Sequence, residues 1–249
     1  MADPTTDSPV LNANPNAQAR ILGIFAKAWD PGKVKTRLAK TLGAETAAQL
    51  YLRLLMLHLM RFANAGEARV LAYSPASDET RNRFLKLTDS LMPRPKWDFV
   101  PQVESDLGTR MSCFFEQQFE ASDQKRRVVL IGSDAPRLSP EIVDEAFEFL
   151  ATYDVVFGPS PDGGYYLVGL SSMAESIFQG VDWSTEKVLQ QSLDICEAEG
   201  LSSALLPELN DIDNEADLKQ ELELLGDEED PFVKMFLQDA APLLAGKLL

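Results

Sequence analysis

The chain has 249 residues, enough for one α/β domain with a substantial core and too few for two enzyme domains. Acidic residues outnumber basic ones 39 to 23, giving a net charge of −16; such a surface repels nucleic acid and anionic membranes, and a phosphate site on it must assemble its own positive charge from clustered Lys and Arg or from a metal. Cys113 and Cys196 lack the spacing of a disulfide framework or a zinc site, and a single histidine, His58, excludes His-rich metal centres and argues against a Ser-His-Asp triad.

In chain order, residues 1–19 are rich in Asn, Pro, Ala and Asp without an apolar h-region, which reads as a disordered leader and not a signal peptide. No apolar run approaches the roughly 20 residues of a membrane span, and the expected location is cytoplasmic. Ile21 to Ala26 is the first strand, feeding a loop with Pro31, Gly32 and several basic residues. Apolar residues spaced by three and four predict a helix from Ala44 to Ala65, with His58 a packed or half-exposed residue of it and not a catalytic one. Arg69 to Tyr73 reads as a strand, Asp78 to Leu87 as a helix, Trp97 to Pro101 as extended chain and Asp106 to Phe119 as a helix. Val128 to Ile131 is a continuous apolar run, as in a strand buried on both faces of a parallel sheet. Ser139 and Pro140 open a helix to about Thr152. Strands at Asp154 to Phe157 and Tyr165 to Leu170 follow, then a helix from a Ser184 cap to Glu199, a strand at Ala204 to Leu206, a helix from an Asn214 cap to Leu225, an acidic linker and a last helix from Phe232 to Leu249.

This alternation implies one α/β domain over residues 20–226, a mostly parallel sheet with helices on both faces, and a helical tail over 227–249. Ligands in such sheets bind beyond the carboxyl ends of strands, where four unusual segments fall.

Lys27, Lys33, Lys35 and Arg37 crowd the loop after the first strand, and Gly32 would let backbone amides approach a phosphate. Val34 stands where a Walker A loop needs glycine, which excludes an ATP-hydrolysing P-loop. Gly132-Ser133-Asp134 ends the buried strand: Gly132 leaves room for a nucleoside, and Asp134 offers a carboxylate to Mg or Mn. In Asn210 to Asn214, Asp211 and Asp213 point one way if extended, so either can complete a metal site with Asp134 or merely favour the helix dipole. Asp162, Gly163, Gly164 and Tyr165 sit in a Gly- and Pro-rich loop suited to walling a ligand, with Asp162 as a general base or a holder of an acceptor hydroxyl. Asp106 can cap a helix and Arg110 reach an anion, while Trp183 is as suited to core as to site.

Taken together, Phe25-Ala26-Lys27-Ala28, Pro31-Gly32-x-Val34-Lys35-Thr36-Arg37-Leu38, Asp106-Leu107-Gly108-x-Arg110-Met111, Gly132-Ser133-Asp134-x-Pro136 and Gly158-Pro159 with Asp162 to Leu167 resemble the bacterial glycosyltransferases found beside radical-enzyme and arsenosugar pathways, within the nucleotide-diphospho-sugar transferase superfamily. The resemblance spans roughly residues 20 to 220. It implies a three-layer α/β/α, Rossmann-like GT-A fold and a metal- and ribose-binding role for Asp134. Lys35 to Leu38 also resembles the phospholactate guanylyltransferases, and Asp213 to Leu218 the Asp-Thr-Pro-Glu-Asp-Leu ending of many nucleotidyltransferases, where the Asp213 position ligates metal in several. Trp29 replaces the usual proline, Asn214 to Ala216 replace Thr-Pro-Glu, and the Gly-Gly-x-Ser-x-Arg signature of ordinary nucleotidyltransferases is missing.

The expectation is a metal-dependent glycosyltransferase. Base and ribose would rest at Ala26, Lys27, Gly132, Ser133 and Asp134, the metal at Asp134 and Asp213, and the leaving charge at Lys35 and Arg37. A small-molecule acceptor would meet Asp162 and Tyr165. Rivals are nucleotidyl transfer with pyrophosphate release and a non-catalytic nucleotide-sugar sensor; self-association into a homodimer is left open.

Overall fold

The structure, a computed structural model, describes residues 18–92, 94–122 and 124–247; the leader expected over 1–19 falls outside them up to residue 17, and Ala19 already belongs to a strand. In order the elements are β1 (Ala19–Lys27), α1 (Ala39–Leu42), α2 (Ala44–Arg61), β2 (Ala68–Ser74), α3 (Asp78–Ser90), β3 (Asp98–Pro101), α4 (Leu107–Glu120), β4 (Arg126–Ile131), α5 (Pro140–Phe149), β5 (Val155–Pro159), β6 (Tyr165–Leu170), a 3-10 turn (Glu175–Phe178), α6 (Val188–Ala198), β7 (Ser203–Leu205), α7 (Glu215–Leu225) and α8 (Pro231–Leu244). The seven strands form one sheet in the order β3-β2-β1-β4-β6-β5-β7, parallel except for β6, which runs against both neighbours.

Strand side chains alternate between two cores because successive Cβ atoms point to opposite faces. Leu22, Ile24 and Ala26 of β1, with Val129 and Ile131 of β4, pack under Leu55 and Leu59 of α2, Phe84 of α3 and Phe147 of α5. Ile21, Val128 and Leu130 face Phe114 and Phe115 of α4 and Cys196 of α6. This is the three-layer α/β/α architecture expected. A third apolar cluster joins the outer side of α2, through Leu50, Leu54 and Leu57, to Leu218 and Leu225 of α7 and Val233 and Phe236 of α8.

The expected helix start at Ser184 is corrected. The residue takes a positive φ of 65°, and α6 begins at Val188 with no side-chain cap. The intervening stretch turns back on the β5–β6 loop: the Leu189 amide donates to Gly163 O at 2.9 Å, and Thr185 Oγ1 donates to Asp182 O at 2.7 Å. The Gly163 carbonyl thus satisfies a helix-start amide in place of a side-chain cap. The second helix also ends at Arg61, short of the expected Ala65.

Candidate active site

Sheet order places the site. From β1 the chain first builds outward through β2 and β3, then crosses back to add β4 on the other side of β1. The crevice beyond the carboxyl ends of β1 and β4 is thus a topological switch point. β5 and β7 run in the same direction as β4, so the loop after β5 and the stretch after β7 arrive at the same edge. The stretch after β7 is tied there by the Leu209 amide to Pro159 O at 3.1 Å and the Ile212 amide to Asp134 O at 3.0 Å.

At that edge Lys35 Nζ donates to Asp134 Oδ2 at 2.7 Å. The Lys35 side chain is 7% exposed and that of Asp134 32%. Burial is the largest influence on each and opposes both charges, but their mutual attraction outweighs it; the Asp134 carboxyl sits below and the Lys35 ammonium above its usual range. Lys35 also has a left-handed backbone, φ 46°, a strained conformation for a residue with a side chain. The loop carrying it is pinned by buried Val34 against Ala48 and Tyr51, and by Trp29, whose ring meets Phe84 edge-on at 5.4 Å under the Arg83 guanidinium. Arg37, more exposed, pairs with Asp213 at 2.6 Å.

The cleft has two chambers that meet at Asp134. The first, about 470 Å³, lies over β1 and β4 and is lined by Ala26, Lys27, Lys33, Lys35, Arg110, Gly132 and Ser133 among others. The second, about 540 Å³, lies toward β6 and is lined by Arg37, Asp162, Gly164, Trp183, Glu186 and Asp211 among others. Gly132, Asp134, Tyr165 and Asp213 border both. Each volume suits a small ligand. Two of the residues singled out in the sequence line neither chamber. Gly32 stands exposed in its turn with open space around it. Gly163 is a packing position: at φ 84°, an added Cβ would lie 2.0 Å from Glu186 O, so glycine lets the β5–β6 loop press against that segment. Gly132 leaves space for the aspartate itself, since a Cβ there would come within 2.9 Å of Asp134 Oδ1.

Tyr165 lines both chambers through its ring and not its hydroxyl. Burial pushes its hydroxyl pKa up, and that hydroxyl lies beside Ser192 in the core. Only its ring faces the cleft, edge-on to Trp183 at 6.4 Å. Asp162 Oδ1 accepts from Ser160 Oγ at 2.5 Å and from the Gly164 amide at 2.9 Å, which fixes the carboxylate's orientation.

Two contributors, Tyr51 and Gln102, went unseen in the sequence. Tyr51 Oη accepts from the Lys27 amide at 2.9 Å and bonds Ser133 Oγ at 3.0 Å, joining the ends of β1 and β4. Its signal is a polar-tipped residue within an otherwise apolar helix stripe. Gln102 Nε2 donates to Ala72 O at 2.7 Å while its Oε1 accepts from Arg110 at 3.1 Å, holding that cation at the first chamber. Asp211, weighed only as the alternative to Asp213, feels Asp134 directly: burial, then repulsion from Asp134 and Asp162, raises its carboxyl to about 6. His58 is a core residue behind the site. Its Nδ1 donates to Leu54 O at 2.8 Å, and burial lowers its pKa to about 4, so it stays neutral.

The oxygen-only donor set of Asp134, Asp211 and Asp213 suits a hard cation. Among the described residues no three carboxylate, histidine or cysteine side chains form a ready cage. Mg and Mn commonly sit on one or two carboxylates and complete their shell with substrate phosphates.

Fold and site together define the chain as a protein of the nucleotide-diphospho-sugar transferase fold. Residues 59–185 match the family described as an uncharacterized protein conserved in bacteria, DUF2064, and the chain belongs to that family. A candidate nucleotide-diphospho-sugar transferase from Desulfovibrio desulfuricans G20 is 29% identical, over 92% of this chain and 98% of its own, with a TM-score of 0.81. The 4-diphosphocytidyl-2C-methyl-D-erythritol synthase of Anaerococcus prevotii DSM 20548 shares 9% identity over 84% of this chain and 96% of its own, with a TM-score of 0.51. A comparison with curated proteins finds no match. No helix among the described residues is long and apolar enough to cross a membrane.

Proposed function

We propose that this protein is a glycosyltransferase that takes a nucleotide-diphospho-sugar and a small-molecule acceptor. The observation that carries the reading is the Lys35–Asp134 pair at the switch point, with cations gathered on one side and carboxylates on the other. The nucleoside would lie over Ala26, Gly132 and Ser133, and the diphosphate against Lys27, Lys33 and Lys35, where charge-assisted hydrogen bonds favour a leaving anion. Asp134 with Asp211 or Asp213 would hold a divalent cation, whose contribution is to neutralise charge on the diphosphate. The nucleotide-diphospho-sugar transferase resemblance across 92% of the chain supports the same donor class.

A second reading, nucleotidyl transfer, draws on the same loop, because Lys27, Lys33, Lys35 and Arg37 suit a triphosphate as well. Calorimetry with nucleotide sugars and nucleoside triphosphates, with and without manganese, tests both. Glycosyl transfer predicts manganese-dependent binding of a nucleotide sugar that chelator abolishes, and nucleoside diphosphate release on turnover. Pyrophosphate release from a triphosphate in the presence of a phosphorylated acceptor would replace the first reading with the second. Binding without turnover across an acceptor panel would leave a sensor.

A further inference from the structure

The second chamber differs from the first in charge and in wall. Asp162, Glu186 and Asp211 line it, with Asp134 and Asp213 at the border. The one cation lining it among the described residues, Arg37, is already paired with Asp213 at 2.6 Å. The lysines and Arg110 surround the other chamber. Trp183 adds an aromatic side chain to the same lining, half-buried and edge-on to the Tyr165 ring.

Resting on the donor reading above, we infer that this chamber receives an uncharged, hydroxyl-rich acceptor of the sugar or polyol class and turns away phosphorylated or carboxylated ones. An incoming anion meets Asp162 and Glu186, neither ion-paired among the described residues, and no unpaired cation, while a polyol donates its hydroxyls to those carboxylates and lays its C–H face on the indole. A metal at Asp134 does not reverse this, because the donor's own phosphates take up its charge. Nucleotidyl transfer needs the opposite surroundings, since its acceptor brings a phosphate to the reacting centre. In the transfer, the acceptor oxygen bonds the anomeric carbon, the bond from that carbon to the β-phosphate oxygen breaks, and the electron pair leaves with the nucleoside diphosphate. The hydroxyl proton passes to a chamber carboxylate. Asp162 is placed for it: Oδ1 is held by Ser160 and Gly164, and Oδ2 accepts no hydrogen bond from the described residues.

The test begins with calorimetric binding of UDP-glucose, GDP-mannose and other nucleotide sugars in manganese, which examines the donor reading alone. Donor-saturated protein is then given sugars and polyols, each beside its phosphate ester: glucose with glucose 6-phosphate, glycerol with glycerol 3-phosphate, and further pairs. Products and released nucleoside diphosphate are read by mass spectrometry. The neutral member of a reactive pair should have kcat/KM at least about tenfold above its ester, and Glu186→Lys, at an exposed side chain, should narrow that preference by about tenfold. Equal or better use of the esters, or donor binding with no reactive neutral member, overturns the inference while the donor reading stands. Failure of every nucleotide sugar to bind removes the donor reading and the inference with it.

Discussion

Asp134 illustrates how one residue's meaning changed between sequence and structure. A carboxylate at a strand tip is expected to add little to stability, so Asp134→Ala would be purely a binding variant. The structure corrects this: Lys35, 7% exposed, has Asp134 as its hydrogen-bonded partner, and the substitution strands a buried ammonium. Breaking a buried pair from one side costs about 3 kcal/mol. Asp134→Ala should therefore lose manganese-dependent donor binding and also unfold at lower urea, with a free-energy loss on that scale. Adding Lys35→Met should recover most of the stability and none of the binding. A urea titration beside calorimetry separates the two, and a fully stable Asp134→Ala would show that the ion pair contributes nothing.

At the scale of elements, two clamps shape the site from outside it. Arg61, at the end of α2 and 4% exposed, donates to Pro136 O at 2.7 Å and Leu138 O at 2.8 Å, while its Nε pairs with Asp230 at the start of α8. It thereby holds the turn that follows Asp134. Arg61→Ala removes the donor to two carbonyls and the cation beside Asp230, whose Oδ1 still caps α8, with an expected loss of about 3 kcal/mol and a weaker donor Kd; Arg61→Lys should restore part of both. The second clamp is the seat of the β5–β6 loop. Gly163→Ala must relieve a 2.0 Å approach to Glu186 O at a positive φ, so a loss of about 2 kcal/mol is expected, together with a raised acceptor KM as Asp162 shifts. An unchanged KM would mean that the loop's position is immaterial to the acceptor. Strand and helix order was legible at this scale because 2-residue and 3.6-residue periods are local properties. The start of α6 was not, because the amide of Leu189 is satisfied by Gly163 O, in a loop about 26 residues earlier in the chain.

For the whole molecule, α8 belongs to the third apolar cluster and not to a loose end. Val233, Phe236, Ala240 and Leu244 are buried with Leu50, Leu54 and Leu57 of α2. Ending the chain at Asp227 would uncover that face and remove Asp230 from Arg61, so the truncated protein should melt more than about 10 °C lower and bind a hydrophobic dye. Thermal scanning of the two chains decides it. The net charge of −16 acts on the same scale. It keeps anions away except where Lys27, Lys33, Lys35 and Arg110 gather, and so gives the cleft a polarity that runs from the first chamber to the second.

The sequence by itself determined the α/β alternation, the basic loop after β1 and the carboxylates that end β4 and follow β7, because hydrophobic period, capping residues and charge clustering are written in neighbouring positions. It did not find Tyr51 and Gln102. Those depend on which strand ends meet, and β4 meets β1 only because the sheet grows in both directions from β1. The pairings of Lys35 with Asp134 and of Arg37 with Asp213 were likewise decided by tertiary structure, since each joins groups about 100 residues or more apart in the chain, and so was the division of the cleft into a cationic and an acidic half, which gathers residues from separate strand ends.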